Sequence, residues 1–166
     1  MTNLSVNVNK IAWLRNARGE NRPNLIEMSK ILIESGVHGL TVHPRPDLRH
    51  ITPDDVYDLS ILCADNKVEF NIEGNPYSEQ TKIYPGFLNL VKEIMPDQCT
   101  LVPDSADQLT SDHGWEIQAK DHNAIRNIVE EIQTDKTRVS FFVDPNIAQI
   151  DAIKELGAKR IELYTG

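Results

Sequence analysis

Three short segments of the chain concentrate side chains that can bind oxyanions or move protons. HPRPDLRHI, from His43 to Ile51, carries His43, Arg45, Arg49 and His50, and its two prolines reduce the ordering needed on binding. Guanidinium forks match phosphate and carboxylate oxygens, so one reading is a site for an anionic small molecule. The plainer reading is a solvated loop whose arginines pair with Asp47, Asp54 or Asp55. FNIEGNP places Glu73 before Gly74 and Pro76 at the end of an alternating run. A carboxyl on an inner strand face is costly to bury unless paired, which makes Glu73 a candidate general base with a raised pKa; the alternative is an ion pair with an interior arginine or lysine. NVNKIAWLRNARG sets Asn7, Asn9 and Lys10 at the end of a predicted strand, with Arg15 and Arg18 in the loop beyond, although loop cations are often only solubilising.

These residues need a scaffold that brings strand ends together. Alternation predicts strands at 4–12, 38–44, 67–73, 98–103, 137–144 and 160–165. Between them NLIEMSKILIESG, DDVYDLSILCADN, YPGFLNLVKEIM, NAIRNIVEEIQ and IAQIDAIKELG have helical spacing. Gly36 and Gly157 sit where helices should stop, and Thr52-Pro53-Asp54-Asp55 reads as a helix start. Repeated strand–helix–strand units imply a parallel sheet with right-handed crossovers.

The strand faces select among parallel folds. Val68, Phe70 and Ile72 oppose Glu69, Asn71 and Glu73; Leu40 and Val42 oppose Thr41 and His43; Ile161 and Leu163 oppose Glu162 and Tyr164. A doubly wound sheet, covered on both sides, would show nearly continuous apolar strands. One apolar and one polar face predict the α/β class and a (β/α)8 barrel, with loops at the C-terminal strand ends facing the site. Such barrels use eight units in roughly 250 residues. The expectation is therefore one barrel domain over 1–166 that covers six units, ends after the sixth strand and lacks the last two.

Composition narrows the function classes. With 166 residues, a formal charge of −8 and 40% hydrophobic residues, the chain reads as one soluble domain, and its acidity argues against a nucleic-acid partner. It has no apolar run of roughly 20 residues and MTNLSVNVNK lacks a signal-peptide core, so the expectation is a cytoplasmic protein without a membrane partner. Cys63 and Cys99 stand outside any CxxC or Cys/His cluster and read as buried small hydrophobes. His38, His113 and His122 read as surface residues. No glycine-rich nucleotide loop, HExxH or GxSxG occurs, and nothing calls for a metal or redox cofactor.

VNVNKIAWLRNARG, GLTVHPRPDLRHI, FNIEGNP, TLVPD and RIELYTG together resemble, in order and spacing, the pyridoxine 5′-phosphate synthase family, along essentially the whole chain. The resemblance implies a (β/α)8 barrel assembling as a homo-octamer. It also implies a cofactor-free ring closure between two phosphorylated substrates, 1-deoxy-D-xylulose 5-phosphate and 3-amino-2-oxopropyl phosphate. The family's proton-accepting positions fall on His43 and Glu73, and its aminoketone phosphate contacts on Asn7 and Arg18. Its deoxyxylulose phosphate contacts fall on Arg45, His50 and Thr110, with Asn9 and Lys10 at a further paired contact. There the family often has Asp-His, so this chain exchanges an imidazole for a fixed cation. The family's proton-donating histidine and glycine-rich phosphate site fall beyond the sixth strand. A rival reading is a truncated, non-catalytic barrel that binds anions or assists assembly; another is a different phosphosugar isomerase or aldolase on the same fold.

Overall fold

The computed structural model describes residues 2–105 and 108–166. Its strands are β1 (Ser5–Asn7), β2 (Gly39–Val42), β3 (Glu69–Gly74), β4 (Gln98–Leu101), β5 (Arg138–Val143) and β6 (Arg160–Leu163). All pair in parallel in the order β1-β2-β3-β4-β5-β6. Helices α1 (Asn9–Arg18), α2 (Leu25–Glu34), α3 (Pro53–Asn66), α4 (Phe87–Ile94), α5 (His122–Ile132) and α6 (Ile147–Glu155) lie between them. Sequential strand order with neighbouring helices packed in turn, α1 on α2 through to α4 on α5, is barrel topology rather than a sheet wound in two directions.

The alternation seen in the sequence becomes two faces. Leu40, Val42, Ile72, Cys99, Leu101, Val139, Phe141 and Val143 are wholly buried on the helix side. Each large apolar side chain removed from water there contributes about 1.5–3 kcal/mol. The other face carries Thr41, Asn71, Glu73, Gln98, Thr100 and Ser140, all buried, and it turns inward: Arg160 on β6 reaches Glu69 on β3 at 3.3 Å. Strands three apart in a flat sheet would be separated by about 14 Å, with side chains standing off its face rather than lying along it, so the contact fits a strongly curled sheet.

Local chemistry fixes the helix ends. Thr52 accepts from Asp55 N while the Asp55 carboxylate accepts from Thr52 N, a complete capping box with Pro53 in the first turn. Asn24 and Asn146 cap α2 and α6. Gly36 and Gly157, at φ +90° and +91°, follow the ends of those helices as the sequence predicts.

One expectation is corrected. The predicted strand at 4–12 is a three-residue strand followed directly by α1, so Asn9, Lys10, Arg15 and Arg18 lie on a helix, not at a strand end and in a loop. The helix has no side-chain cap at Val8, and the alternation of Leu4, Val6 and Val8 with Ser5, Asn7 and Asn9 runs unbroken up to its first residue. The buried pair Val8 and Ala12, four residues apart, is the helical signal that competed with it. Cys63 and Cys99 are free and buried, as expected.

Candidate functional site

The segment after β2 is clamped from α1. Arg15 makes a two-pronged ion pair with Asp55, at 2.5 and 2.8 Å, and Asn16 Nδ2 donates to the carbonyls of Arg49 and His50 at 3.2 and 2.9 Å. The first turn of α1 contributes too: Asn9 Oδ1 accepts from His43 N at 2.9 Å. Arg15 and Asn9 thus fix the loop that carries the histidines.

Arg45 is buried. It donates to Asp104 Oδ2 at 2.9 Å, to the Ser105 carbonyl at 2.8 Å and to the Gln108 carbonyl at 3.0 Å. Arg49 pairs with Asp47 and donates to the carbonyls of Gln108 and Leu109. The two guanidiniums therefore hold the segment after β4 across the mouth of the barrel. Of the pairings considered from sequence, Arg49 with Asp47 occurs; Asp55 pairs instead with Arg15 from α1, and Arg45 has a partner, Asp104, that spacing did not suggest.

These groups surround a cleft of about 740 Å³ at the C-terminal ends of the strands. It brings together Asn7, Asn9, Lys10, His43, Arg45, His50, Glu73 and Thr110 among the predicted residues. Arg18, exposed at the far end of α1, does not line it. Sequence reasoning missed Glu162 from β6, Phe142 from β5 and Trp13 from α1 in its wall, and Asp104 behind His43. Glu162 was legible as the polar position of the last strand; Asp104 depends on how a long loop folds back. A groove of about 800 Å³ at the opposite strand ends, lined by His38, Lys67 and Asp97 among others, contains none of the predicted site residues.

Glu73 is 9% exposed. Its Oε2 accepts from Asn7 Nδ2 at 3.4 Å, its Oε1 accepts from Asn71 Nδ2 at 3.3 Å, and it shares a hydrogen bond with the Glu162 carboxyl. Burial, then the neighbouring charge of Glu162, pushes the Glu73 carboxyl well above the usual carboxylate range. Burial also raises Glu162, opposed by the hydrogen bond from Glu73. The charge on either carboxyl opposes ionisation of the other, so Glu73 and Glu162 titrate together.

His43 is pushed down to about 3, first by burial and then by the positive charge of Arg45. It is therefore a neutral imidazole at physiological pH, with Nε2 3.5 Å from Asp104 and Nδ1 3.9 Å from Glu73. With the imidazole neutral, the second approach is not an ion pair. Burial and the nearby arginines likewise lower His50 to about 4. His50 Nδ1 accepts from Ile51 N at 2.9 Å, which leaves the proton of the neutral ring on Nε2. Chemically the cleft offers a buried carboxyl held above the usual carboxylate range, a neutral imidazole beside it, and Lys10 and arginines at its rim.

A curled parallel sheet with a polar interior, helices outside and titratable groups at the C-terminal strand ends defines a (β/α)-barrel protein. The family model for the pyridoxal phosphate biosynthesis protein PdxJ matches residues 4–166, and the chain belongs to that family. It is 51% identical over 165 residues to pyridoxine 5′-phosphate synthase of Xylella fastidiosa (strain 9a5c) and 52% identical over 165 residues to that of Xanthomonas campestris pv. campestris (strain B100). The matches cover 99% of this chain but 63% and 64% of those proteins, so the chain spans a little under two thirds of their length. Among solved structures, β-mannanase from Thermomonospora fusca aligns over 100% of this chain and 68% of its own, with a TM-score of 0.44 and 14% identity.

Proposed function

We propose that the protein works as a pyridoxine 5′-phosphate synthase, joining 1-deoxy-D-xylulose 5-phosphate to 3-amino-2-oxopropyl phosphate to give pyridoxine 5′-phosphate, inorganic phosphate and water. Family membership supports the reading, and the observation that carries it is the buried Glu73 carboxyl 3.9 Å from His43 in one cleft with Lys10. Condensing an amine with a ketone, eliminating water and closing the ring is a series of proton transfers, which a carboxyl and an imidazole can serve.

In this reading Glu73 and His43 pass protons to and from the reacting carbon, nitrogen and oxygen atoms. Lys10 and the Nε2–H of His50 attract the deoxyxylulose phosphate at the rim, with Thr110 beside them. Arg45 acts through the loop it secures as well as through its charge. Asn7, in the cleft, and Arg18, outside it, serve the aminoketone phosphate in this reading. The reading includes a cytoplasmic location and a homo-octamer. The exposed apolar side chains Leu14 and Ile31 on the outer helices support self-association, and among the described residues no helix is long and apolar enough to cross a membrane.

The test is turnover at the protein's natural full length with both substrates. Phosphate release matched by pyridoxine 5′-phosphate is expected. Binding of either phosphate ester without product would instead favour an anion-binding module.

A further inference from the structure

Beneath Glu73 the barrel interior holds a chain of hydrogen bonds whose direction is set from its far end. Arg138 Nε and Arg160 Nη1 both donate to Gln98 Oε1 at 2.9 Å. Guanidinium groups only donate, so this amide must present its oxygen to them and its NH2 to the next residue. Gln98 Nε2 accordingly donates to Thr100 Oγ1 at 3.2 Å. With its oxygen accepting from Gln98, the Thr100 hydroxyl donates onward to Asn71 Oδ1 at 3.1 Å. The Asn71 amide is thereby locked with its NH2 toward Glu73 Oε1 and Thr41 Oγ1, both at 3.3 Å. On β1 a second amide is locked in the same sense: Asn7 Oδ1 accepts from Asn9 N at 2.9 Å, so Asn7 presents its NH2 to Glu73 Oε2.

We propose that Gln98, Thr100 and Asn71 form a positioning relay for the proposed base, in which Arg138 and the exposed Arg160, at the amino-terminal ends of their strands, fix the amide orientation that gives Glu73 Oε1 an N–H donor and turns its carboxyl toward Glu162. None of the three touches the reacting atoms; they act through Glu73. Gln98, Thr100 and Asn71 are all at most 6% exposed, so no solvent competes for these bonds, and a reversed amide would set two oxygens against each other. The relay deepens the synthase reading and rests on it for its purpose, but not for its geometry.

The titratable and charged groups around Glu73 are His43 and Arg45 from β2 and its loop, Cys99 and Asp104 from β4 and the segment after it, and Glu162 from β6. All remain in the variants that test the relay. Thr100→Val keeps the volume and deletes the hydroxyl; Thr100→Ser keeps the hydroxyl and deletes a methyl. The probe is the infrared carboxyl band of 13C-labelled glutamate, assigned by its loss in Glu73→Gln and followed through a pH titration of the full-length protein. Loss of a donor to the carboxylate favours the protonated form, so Thr100→Val moves the Glu73 midpoint up by about half a unit or more, and Thr100→Ser leaves it near wild type. Asn71→Leu gives a shift in the same direction. In the turnover assay Thr100→Val lowers kcat with little change in KM. An unshifted midpoint in Thr100→Val, or a shift in Thr100→Ser as large as in Thr100→Val, would overturn the relay. Absence of turnover in the wild-type protein would defeat the synthase reading while the infrared titration still decided the relay.

Discussion

Replacing Glu73 by glutamine should change how stability depends on pH, because two neighbouring buried groups hold protons in the opposite sense from the unfolded chain. His43 stays neutral in the fold down to about pH 3, whereas an unfolded imidazole takes up its proton near 6.5. Its folded pKa is depressed, so the stability that depends on it is complete above 6.5 and declines as pH falls, by about 1.4 kcal/mol per unit. Glu73 acts in reverse. Its folded carboxyl keeps a proton that the unfolded chain releases above 4.5, so its contribution grows by the same slope as pH falls from the raised midpoint to 4.5. Where the two ranges overlap the slopes cancel, since the folded pair and the unfolded pair each bind one proton. The glutamine side chain of Glu73→Gln fills the same space and cannot titrate, which leaves the His43 slope uncompensated. Urea unfolding at half-unit steps from pH 7 to pH 5 should show the variant losing about 1.4 kcal/mol per unit relative to wild type below the Glu73 midpoint. Adding His43→Gln should remove the difference in slope. Parallel curves for wild type and Glu73→Gln would refute the argument, because they would mean that Glu73 ionises alike in the folded and unfolded chain.

Two further variants test the scaffold. Arg15→Met strands Asp55, whose carboxyl burial would raise but hydrogen bonds from Arg15 and Thr52 hold below its usual range; unfolding should show a loss of about 3 kcal/mol near neutral pH. Because the folded pKa is depressed, that difference should shrink as pH falls below 3.8 and through the folded midpoint, and a pH-independent difference would argue against the pair. Gly74→Ala puts a methyl 2.5 Å from the fully buried Phe87 ring immediately after Glu73, so thermal unfolding should report a cost of about 1–3 kcal/mol, partly recovered by adding Phe87→Leu. An unchanged Tm would show that the ring can retreat.

The barrel was legible because its two faces differ chemically at single-residue period: Phe70 and Ile72 against Asn71 and Glu73 state which side meets helices. The same rule ran too far at the amino end, where the alternation of Leu4, Val6 and Val8 reaches a strand–helix junction that has no capping side chain. Loop chemistry was legible as composition but not as pairing. The HPRPDLRHI run announces cations, yet nothing local says that Arg45 will be buried against Asp104, a contact spanning 59 positions. Glu162 was visible as the inward residue of the last strand; its meeting with Glu73 arises from the curl that brings β6 over β3. The interior relay could not be read at all, since its direction follows from the donor-only nature of Arg138 and Arg160 in contact with Gln98.

The central claim is that the Glu73 carboxyl on β3 is an essential member of the pair that carries the proton transfers of the cleft. The most direct measurement is kcat for pyridoxine 5′-phosphate formation by the full-length Glu73→Gln protein at saturating concentrations of both substrates, with its fold verified at the same pH. The account predicts a fall of roughly 10²-fold or more with both phosphate esters still bound. Near-normal kcat in a folded Glu73→Gln protein would contradict it.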